Sequence, residues 1–132
     1  WEKYKATNWL TDVDTRIDYN VMRALARKLL KIPAGIVMHP RVQKIMDDRE
    51  KMTAGALPID WGYAETLSYA TLLYQGFSIR LSGQDSGRGT FFHRHAVIHN
   101  QNRRETYVPL RNVSKKENFL VIDSVLSEEA VL

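Results

Sequence analysis

Three of the four histidines of this chain lie within one glycine-rich stretch, GQDSGRGTFFHRHAVIHN, which runs from Gly83 to Asn100. Imidazole changes its charge roughly between pH 5 and 8, so clustered histidines are typical of proton-transfer and ligand-binding sites. Arg88 lies shortly before His93, and a guanidinium beside imidazoles suits a carboxylate ligand. The stretch therefore predicts a binding or proton-transfer site, with an anionic molecule as a possible ligand.

Two other interpretations of the same stretch stay open. His95 and His99 have the i, i+4 spacing of one helix face, but a zinc site needs a third or fourth ligand, and no carboxylate stands at a partner spacing. The second alternative is ordinary packing, with one histidine in the core and another on the surface. The glycine loop lacks the Lys-Ser/Thr ending of a phosphate-binding loop, so a plain turn is its default interpretation.

Composition bounds the class of protein. The chain has 132 residues, 44% of them apolar, and a net charge of +4, which is enough for one domain with a modest core. The basic residues are scattered, which favours a solvated basic surface over a nucleic-acid-binding module. The lack of cysteine excludes disulfides and thiolate chemistry, and no apolar run is long enough to predict a membrane span.

Local signals predict the elements that must position this stretch. Asp18 and Asp60 are suited to cap helices, Pro40 to begin one, and Gly76 to end one. His39 is expected to be structural, Glu65 to lie on a helix surface, and residues 53–58 to form a linker. The predicted elements are helices over 19–31, 41–52 and 61–75, and strands over 77–81 and 119–123.

A helix, a glycine turn and a strand in this order are typical of an α/β domain. The loop from Ser82 to Thr90 follows the strand over 77–81, and ligands of open α/β sheets bind beyond the carboxyl ends of strands. Glu128 and Glu129 begin another predicted helix after the second strand. Acidic residues in a first helical turn stabilise the helix dipole by about 0.3–1 kcal/mol each, which is enough to explain them without a catalytic role. The residues alone therefore predict part of an α/β domain with a ligand loop.

Several motifs occur in a family-specific order from Asp60 onward: DWG, AETL, RLSGQDSGRGTFFHRHAVIHNQ, TYVPL and DSVLSEEAVL. This order resembles the decarboxylating first component of the 2-oxoglutarate dehydrogenase complex, a thiamine-diphosphate enzyme. The helix that follows His39 also looks like the linker of that family. The resemblance implies an α/β fold with a helical linker over 1–57 and the N-terminal part of a transketolase-like pyrimidine-binding domain over 58–132.

The resemblance also implies an activity and its partners. The implied reaction is oxidative decarboxylation of 2-oxoglutarate with transfer of the succinyl group to lipoyl groups in the citric acid cycle. It would take place in a homodimer that works with dihydrolipoyl succinyltransferase and dihydrolipoyl dehydrogenase. The implied cofactor is thiamine diphosphate, with Mg²⁺ held by residues outside this chain, so we expect a segment of a larger enzyme that is inactive alone. The implied location is the bacterial cytoplasm, or the mitochondrial matrix in a eukaryote.

Site residues carry over from the family position by position. Glu128 matches a glutamate that shares a proton with a pyrimidine nitrogen of the cofactor, and Leu126 is expected to contact the cofactor beside it. Glu129 is the less favoured neighbour. His93 and His95 match positions on the substrate side, with His95 slightly favoured. The expected substrate-binding loop residues are Gln84, Asp85 and Arg88, and no metal ligand is expected in this chain.

Alternatives to this assignment remain. One is a related dehydrogenase that acts on another 2-oxo acid, such as 2-oxoadipate. Another is a small basic nucleic-acid-binding module. A third is a purely structural segment, which would be favoured if Glu128 and His95 lay in a solid core far from any cleft.

Overall fold

The computed structural model describes residues 2, 5, 10–114 and 118–125. In these ranges three helices come first: α1 (Tyr19–Leu30), α2 (Pro40–Ala54) and α3 (Trp61–Tyr74). The strands that follow are β1 (Ile79–Gly83), β2 (Ile98–His99), β3 (Thr106–Tyr107) and β4 (Phe119–Asp123), with a 3₁₀ helix over Pro109–Asn112 between β3 and β4.

The strands form two small sheets. β1 and β4 pair in parallel, with Ile79 opposite Phe119 and Gly83 opposite Asp123, whereas β2 and β3 pair antiparallel. Because parallel strands end on the same side of a sheet, the connections after β1 and β4 leave from one edge. We call it the carboxyl edge, and the bond from the Ser124 amide to the Gly83 carbonyl (2.9 Å) extends the pairing there.

The helices begin where their capping residues predict. Asp18 accepts hydrogen bonds from the amides of Asn20 and Val21 at the start of α1. The carboxylate of Asp60 accepts one from the amide of Tyr63 at 2.7 Å. These carboxylates satisfy amides that have no partner within the helix.

His39 has the structural role expected of it, since its Nδ1 accepts a hydrogen bond from the Arg41 amide at 3.2 Å. Pro40 is the first residue of α2, which suits a residue without an amide hydrogen. The helix continues to Ala54, so the linker interpretation is wrong for residues 53 and 54. The helix stops there because Gly55 has a left-handed φ of 80°.

The predicted strand over 77–81 begins two residues later, at Ile79. The amide of Phe77 donates to the Leu72 carbonyl and that of Gly76 to the Leu73 carbonyl, a paired arrangement that closes a helix. Phe77 is therefore committed to the end of α3. Gly76, with φ 93°, provides the predicted stop.

One apolar core joins the predicted linker to the predicted domain. Side chains of α1 pack with those of α2, α3 and the 3₁₀ helix, and the same buried cluster includes Phe119 of β4. None of the helices in the described part of the chain is long and apolar enough to cross a membrane. The buried core residues are Leu25, Ala26, Leu29, Tyr63, Leu67, Ala70, Leu73, Ala96, Val108, Leu110, Val113 and Phe119.

Candidate functional site

The segment that connects β1 to β2, residues 84–97, contains His93 and His95, and we call it the histidine loop. It is fastened to the carboxyl edge, because the amide of Gly87 donates to the Asp123 carboxylate at 2.8 Å. A side chain at Gly87 would lie 3.3 Å from both Asp123 and Val97, so glycine suits this close approach. The loop therefore lies where α/β sheets bind ligands.

The backbone of the histidine loop is strained at three residues other than glycine. Asp85, Phe92 and His95 have φ values of 55°, 55° and 45°, which cost on the order of 1–3 kcal/mol each and persist only where surrounding structure holds them. The amides of Arg94 and His95 both donate to the Arg88 carbonyl, at 3.1 and 3.0 Å. Such strain clusters at functional sites.

Arg49 anchors the loop from the side of α2. Its side chain is buried, and its Nη2 donates to the backbone carbonyls of His93 and Arg94 at 3.0 Å each. Burial lowers the pKa of Arg49, and its guanidinium lies 5.4 Å from the centre of the Tyr63 ring. A residue of the predicted linker thus positions two consecutive residues of the loop, His93 and Arg94.

Glu65 on α3 is the centre of a polar group that includes Tyr69, His93 and Arg94, which we call the Glu65 cluster. One carboxylate oxygen accepts from Arg94 Nε at 2.5 Å and from the Tyr69 hydroxyl at 2.7 Å. The other lies 3.2 Å from His93 Nε2. With its side chain only 25% exposed, Glu65 is not the surface residue that the sequence predicts.

The Glu65 carboxylate is ionised at neutral pH. Burial by itself raises the pKa of Glu65, but the hydrogen bonds from Arg94 and Tyr69 and the positive charge of Arg94 together outweigh burial and lower it. The net pKa lies below its ordinary value. Because an ionised carboxylate only accepts hydrogen bonds, the hydrogen between Glu65 and His93 belongs to Nε2 of the imidazole.

Two glycines make room for His93. A side chain at Gly89 would lie 2.6 and 2.7 Å from Cε1 and Nδ1 of the imidazole, and one at Gly62 would lie 2.6 Å from the His93 carbonyl oxygen. Nδ1 is buried and has no hydrogen-bond partner among the residues that the structure describes. The ring is therefore packed on one side and held by Glu65 on the other.

His95 has a different environment. Its Nε2 lies 3.1 Å from the Phe92 carbonyl oxygen, and it borders a small internal cavity beside Arg49 and Tyr63. Burial lowers the pKa of His95; the Phe92 carbonyl opposes this, and the nearby positive charges add to it. His95 is therefore a neutral imidazole at pH 7, in which Nε2 donates to the Phe92 carbonyl and Nδ1 can accept one hydrogen bond.

The spacing of His95 and His99 does not put them on one helix face, because His95 is in a loop with positive φ and His99 is in β2. In the described part of the chain, no group of three His, Asp or Glu side chains is placed to hold a metal ion.

Arg88 is used within its own loop. Its Nη2 lies 2.8 Å from the Asp85 carboxylate, with 40% of the Arg88 and 48% of the Asp85 side chain exposed. Its guanidinium also stacks 4.1 Å from the centre of the Phe92 ring, a favourable cation–π arrangement. Arg88 Nε is buried and unpartnered within the described ranges, and Gln84 is exposed.

The predicted site residues are only partly visible. His93, His95, Arg88, Gln84 and Asp85 share the histidine loop. Glu128 and Leu126 lie outside the described residues, and β4 is the last described strand before them.

Sequence reasoning missed Arg49, Glu65 and Arg94. Met46, Arg49 and Thr53 are all buried along one face of α2. Their i, i+3, i+7 spacing is the signal that could have identified Arg49 as buried, but a search for apolar residues alone does not detect it. For Arg94, the signal is its place between two histidines.

Comparisons with known proteins give independent information on this arrangement. Residues 58–132 match the family described as transketolase, pyrimidine binding domain. Over its whole length the chain is 49% identical to the 2-oxoglutarate dehydrogenase E1 component of Azotobacter vinelandii. The corresponding identities are 47% for Haemophilus influenzae and 44% for Cupriavidus necator. The chain spans 14% of the length of each of these proteins.

Proposed function

The chain belongs to the transketolase pyrimidine-binding domain family, and we propose that it forms one wall of the active site of a thiamine-diphosphate-dependent 2-oxoglutarate dehydrogenase E1 component. The proposed reaction is oxidative decarboxylation of 2-oxoglutarate with transfer of the succinyl group to lipoyl groups. The observation that carries the proposal is the similarity along the entire chain, which includes the helices before the family match.

The position of the histidine loop supports this proposal. The loop leaves the carboxyl edge formed by β1 and β4, which is where ligands of α/β sheets bind. Two nitrogens on it, Nδ1 of His93 and Nε of Arg88, are buried without a partner among the described residues. Nitrogens of this kind fit a site that is completed by groups outside the described part of the chain.

Thiamine diphosphate, when bound, supplies the electron sink for decarboxylation of a 2-oxo acid. In the proposed site, the Glu128 carboxyl holds a proton at a pyrimidine nitrogen, and Leu126 contacts the cofactor. Glu128 follows Asp123 by five residues, a length of chain that reaches at most about 18 Å. Mg²⁺ would be held by residues outside this chain.

The histidine loop would hold the substrate. His95, neutral at pH 7 because burial lowers its pKa, offers a hydrogen bond without adding a fixed charge. His93 follows on the same loop, and Arg88, which pairs with Asp85 here, would add a cation for a carboxylate substrate. Gln84 and Asp85 would shape the outer part of the same loop.

The proposal extends to the assembly. The enzyme would be a homodimer of the bacterial cytoplasm that works with dihydrolipoyl succinyltransferase and dihydrolipoyl dehydrogenase. A basic nucleic-acid-binding module is a weaker fit, since Arg49 and Arg94 use their charges on internal carbonyls and on Glu65.

The test uses the complete protein that contains this chain. Release of carbon dioxide from 2-oxoglutarate is measured with an artificial electron acceptor, with and without thiamine diphosphate and Mg²⁺. We expect turnover only with the cofactor present. Turnover with 2-oxoadipate alone would keep the chemistry and change the substrate, whereas no turnover with any 2-oxo acid would overturn the proposal.

Glu128→Ala is the decisive variant, and Glu129→Ala is its matched control on the adjacent carboxylate. We expect Glu128→Ala to abolish nearly all carbon dioxide release while the dimer remains folded, because no carboxyl group would then share a proton with the pyrimidine nitrogen. Glu129→Ala should retain most of the activity. Normal turnover by Glu128→Ala would refute the assignment of that glutamate.

A further inference from the structure

His93 and Glu65 belong to elements far apart in sequence, yet their polar atoms meet at 3.2 Å. Both residues line an open surface pocket together with Trp61, Gly62 and Phe91. Trp61 and Phe91 are 90% and 84% exposed. The Glu65–His93 pair is thus half-buried at a place that a ligand can reach.

We propose that Glu65 is a positioning residue that acts through His93: its carboxylate fixes the ring orientation and keeps the hydrogen on Nε2. This inference rests on the proposed function, because it assigns His93 to substrate binding. Glu65 itself need not touch the substrate.

The geometry explains why Glu65 can do this. Arg94 and Tyr69 bind one oxygen of the carboxylate, which leaves the other for His93 and restricts rotation of the group. On the opposite side, the imidazole packs against Gly89, where even a methyl group would overlap it. The ring is therefore held between a fixed acceptor and a fixed wall.

Rotation of the ring would separate Nε2 from the Glu65 carboxylate, which is the one partner of the ring nitrogens among the described residues. Partners of this kind determine which nitrogen of a histidine carries the hydrogen. The Glu65 carboxylate therefore determines the ring orientation of His93.

The first experiment measures kcat and KM for 2-oxoglutarate in the complete protein with Glu65→Gln, His93→Gln and the double variant. We expect Glu65→Gln to lower kcat/KM about tenfold or more, as the loss of an orienting partner does at other histidine sites. The double variant should be no worse than His93→Gln, because glutamine at position 65 keeps an acceptor oxygen for Arg94 and Tyr69 and the effect on the substrate passes through the His93 ring. Multiplicative losses in the double variant, or an unchanged kcat/KM in Glu65→Gln, would overturn the proposal.

Ser68→Ala is the matched control, since Ser68 lies on the same helix, is exposed, and donates its hydroxyl to the Ala64 carbonyl of that helix. We expect its kcat/KM to stay close to that of the unaltered protein. A loss as large as that of Glu65→Gln would mean that any change on this helix has the same effect, which would count against positioning of His93. If Glu65→Gln does not fold, Glu65→Asp keeps the charge for Arg94 and shortens the reach to His93, with a loss in the same direction expected.

A second readout needs no turnover and separates this inference from the proposed function. Acylation of His93 by diethylpyrocarbonate is followed by mass spectrometry in the complete protein. His93 should react slowly in the unaltered protein, and several times faster in Glu65→Ala, where Nε2 is released. Equal rates would overturn the inference whether or not the protein decarboxylates 2-oxo acids. Faster labelling of Glu65→Ala in a protein without turnover would support the Glu65–His93 contact and refute only the proposed decarboxylation.

Discussion

The histidine loop takes part in two ion pairs that join the same kinds of side chain, a carboxylate and an arginine, but differ in setting. Asp85 and Arg88 form a local i, i+3 pair that is roughly half exposed. Glu65 and Arg94 are 29 residues apart, and their side chains are 25% and 16% exposed. The first pair shapes a turn, whereas the second joins a helix to a loop. Burial and sequence separation, more than the presence of opposite charges, determine what such a pair contributes.

The largest expected effect separates the two arginines. Arg94→Met removes a partner of the half-buried Glu65 and of the Ser86 carbonyl, so we expect the free energy of local opening of the loop to fall by about 2 kcal/mol. Arg88→Met removes a largely exposed pair and should cost less than about 1 kcal/mol. Hydrogen exchange of the loop amides, measured by mass spectrometry in the complete protein, reports both values. Equal losses would erase the distinction between the pairs.

The next comparison is between two glycines, Gly89 and Gly55. Both Gly89 and Gly55 have positive φ, but a side chain at Gly55 meets nothing within 4 Å, whereas one at Gly89 meets the His93 ring. Gly55→Ala should cost about 1–2 kcal/mol from backbone conformation alone. Gly89→Ala should lower the opening free energy of the loop further and speed acylation of His93. If the two substitutions lower stability equally, Gly89 does not confine the His93 ring against Glu65.

The smallest effect is a pH dependence. Burial lowers the pKa of His95 below its ordinary value, so the closed loop binds fewer protons than the open one as pH falls through the ordinary value of about 6.5. Stability from this group is present above that pH and is lost toward the lowered pKa.

The pKa of Glu65 is also lowered, and its contribution is lost only at more acidic pH, below its ordinary value of about 4.3. Between pH 8 and 5.5 we therefore expect loop opening, after correction for intrinsic exchange rates, to become easier in the unaltered protein. The change should be smaller in His95→Asn, because asparagine does not titrate. Asparagine also tolerates the positive φ of this position. The same slope in both proteins would assign the pH dependence to another group.

The parts of the fold that sequence predicts well are those that depend on neighbours along the chain. Asp18, Pro40 and Asp60 begin helices through bonds or geometry within three residues. The start of β1 was misplaced because the amide of Phe77 completes the helix before it. An alternating pattern of side chains does not reveal that competition for one amide.

The candidate site was predicted as a loop but not as a network. The residues of GQDSGRGTFFHRH indicate that the loop is special, and its place after a strand is confirmed. Its link to Glu65 depends on how closely α3 approaches the loop, which Gly62 and Gly89 permit. Contacts over such sequence distances follow from packing of whole elements, which a local pattern does not encode.

Arg49 holds the histidine loop through its backbone, by hydrogen bonds to the carbonyls of His93 and Arg94. These two bonds therefore do not depend on which side chains occupy positions 93 and 94. The two segments should therefore be exchanged together. A recombination event that replaced residues 58–132 alone would pair the incoming loop with an α2 from another protein, which must carry an arginine at the position of Arg49. Viable chimeras between relatives should therefore cross over before α1, or else bring a compatible arginine with them.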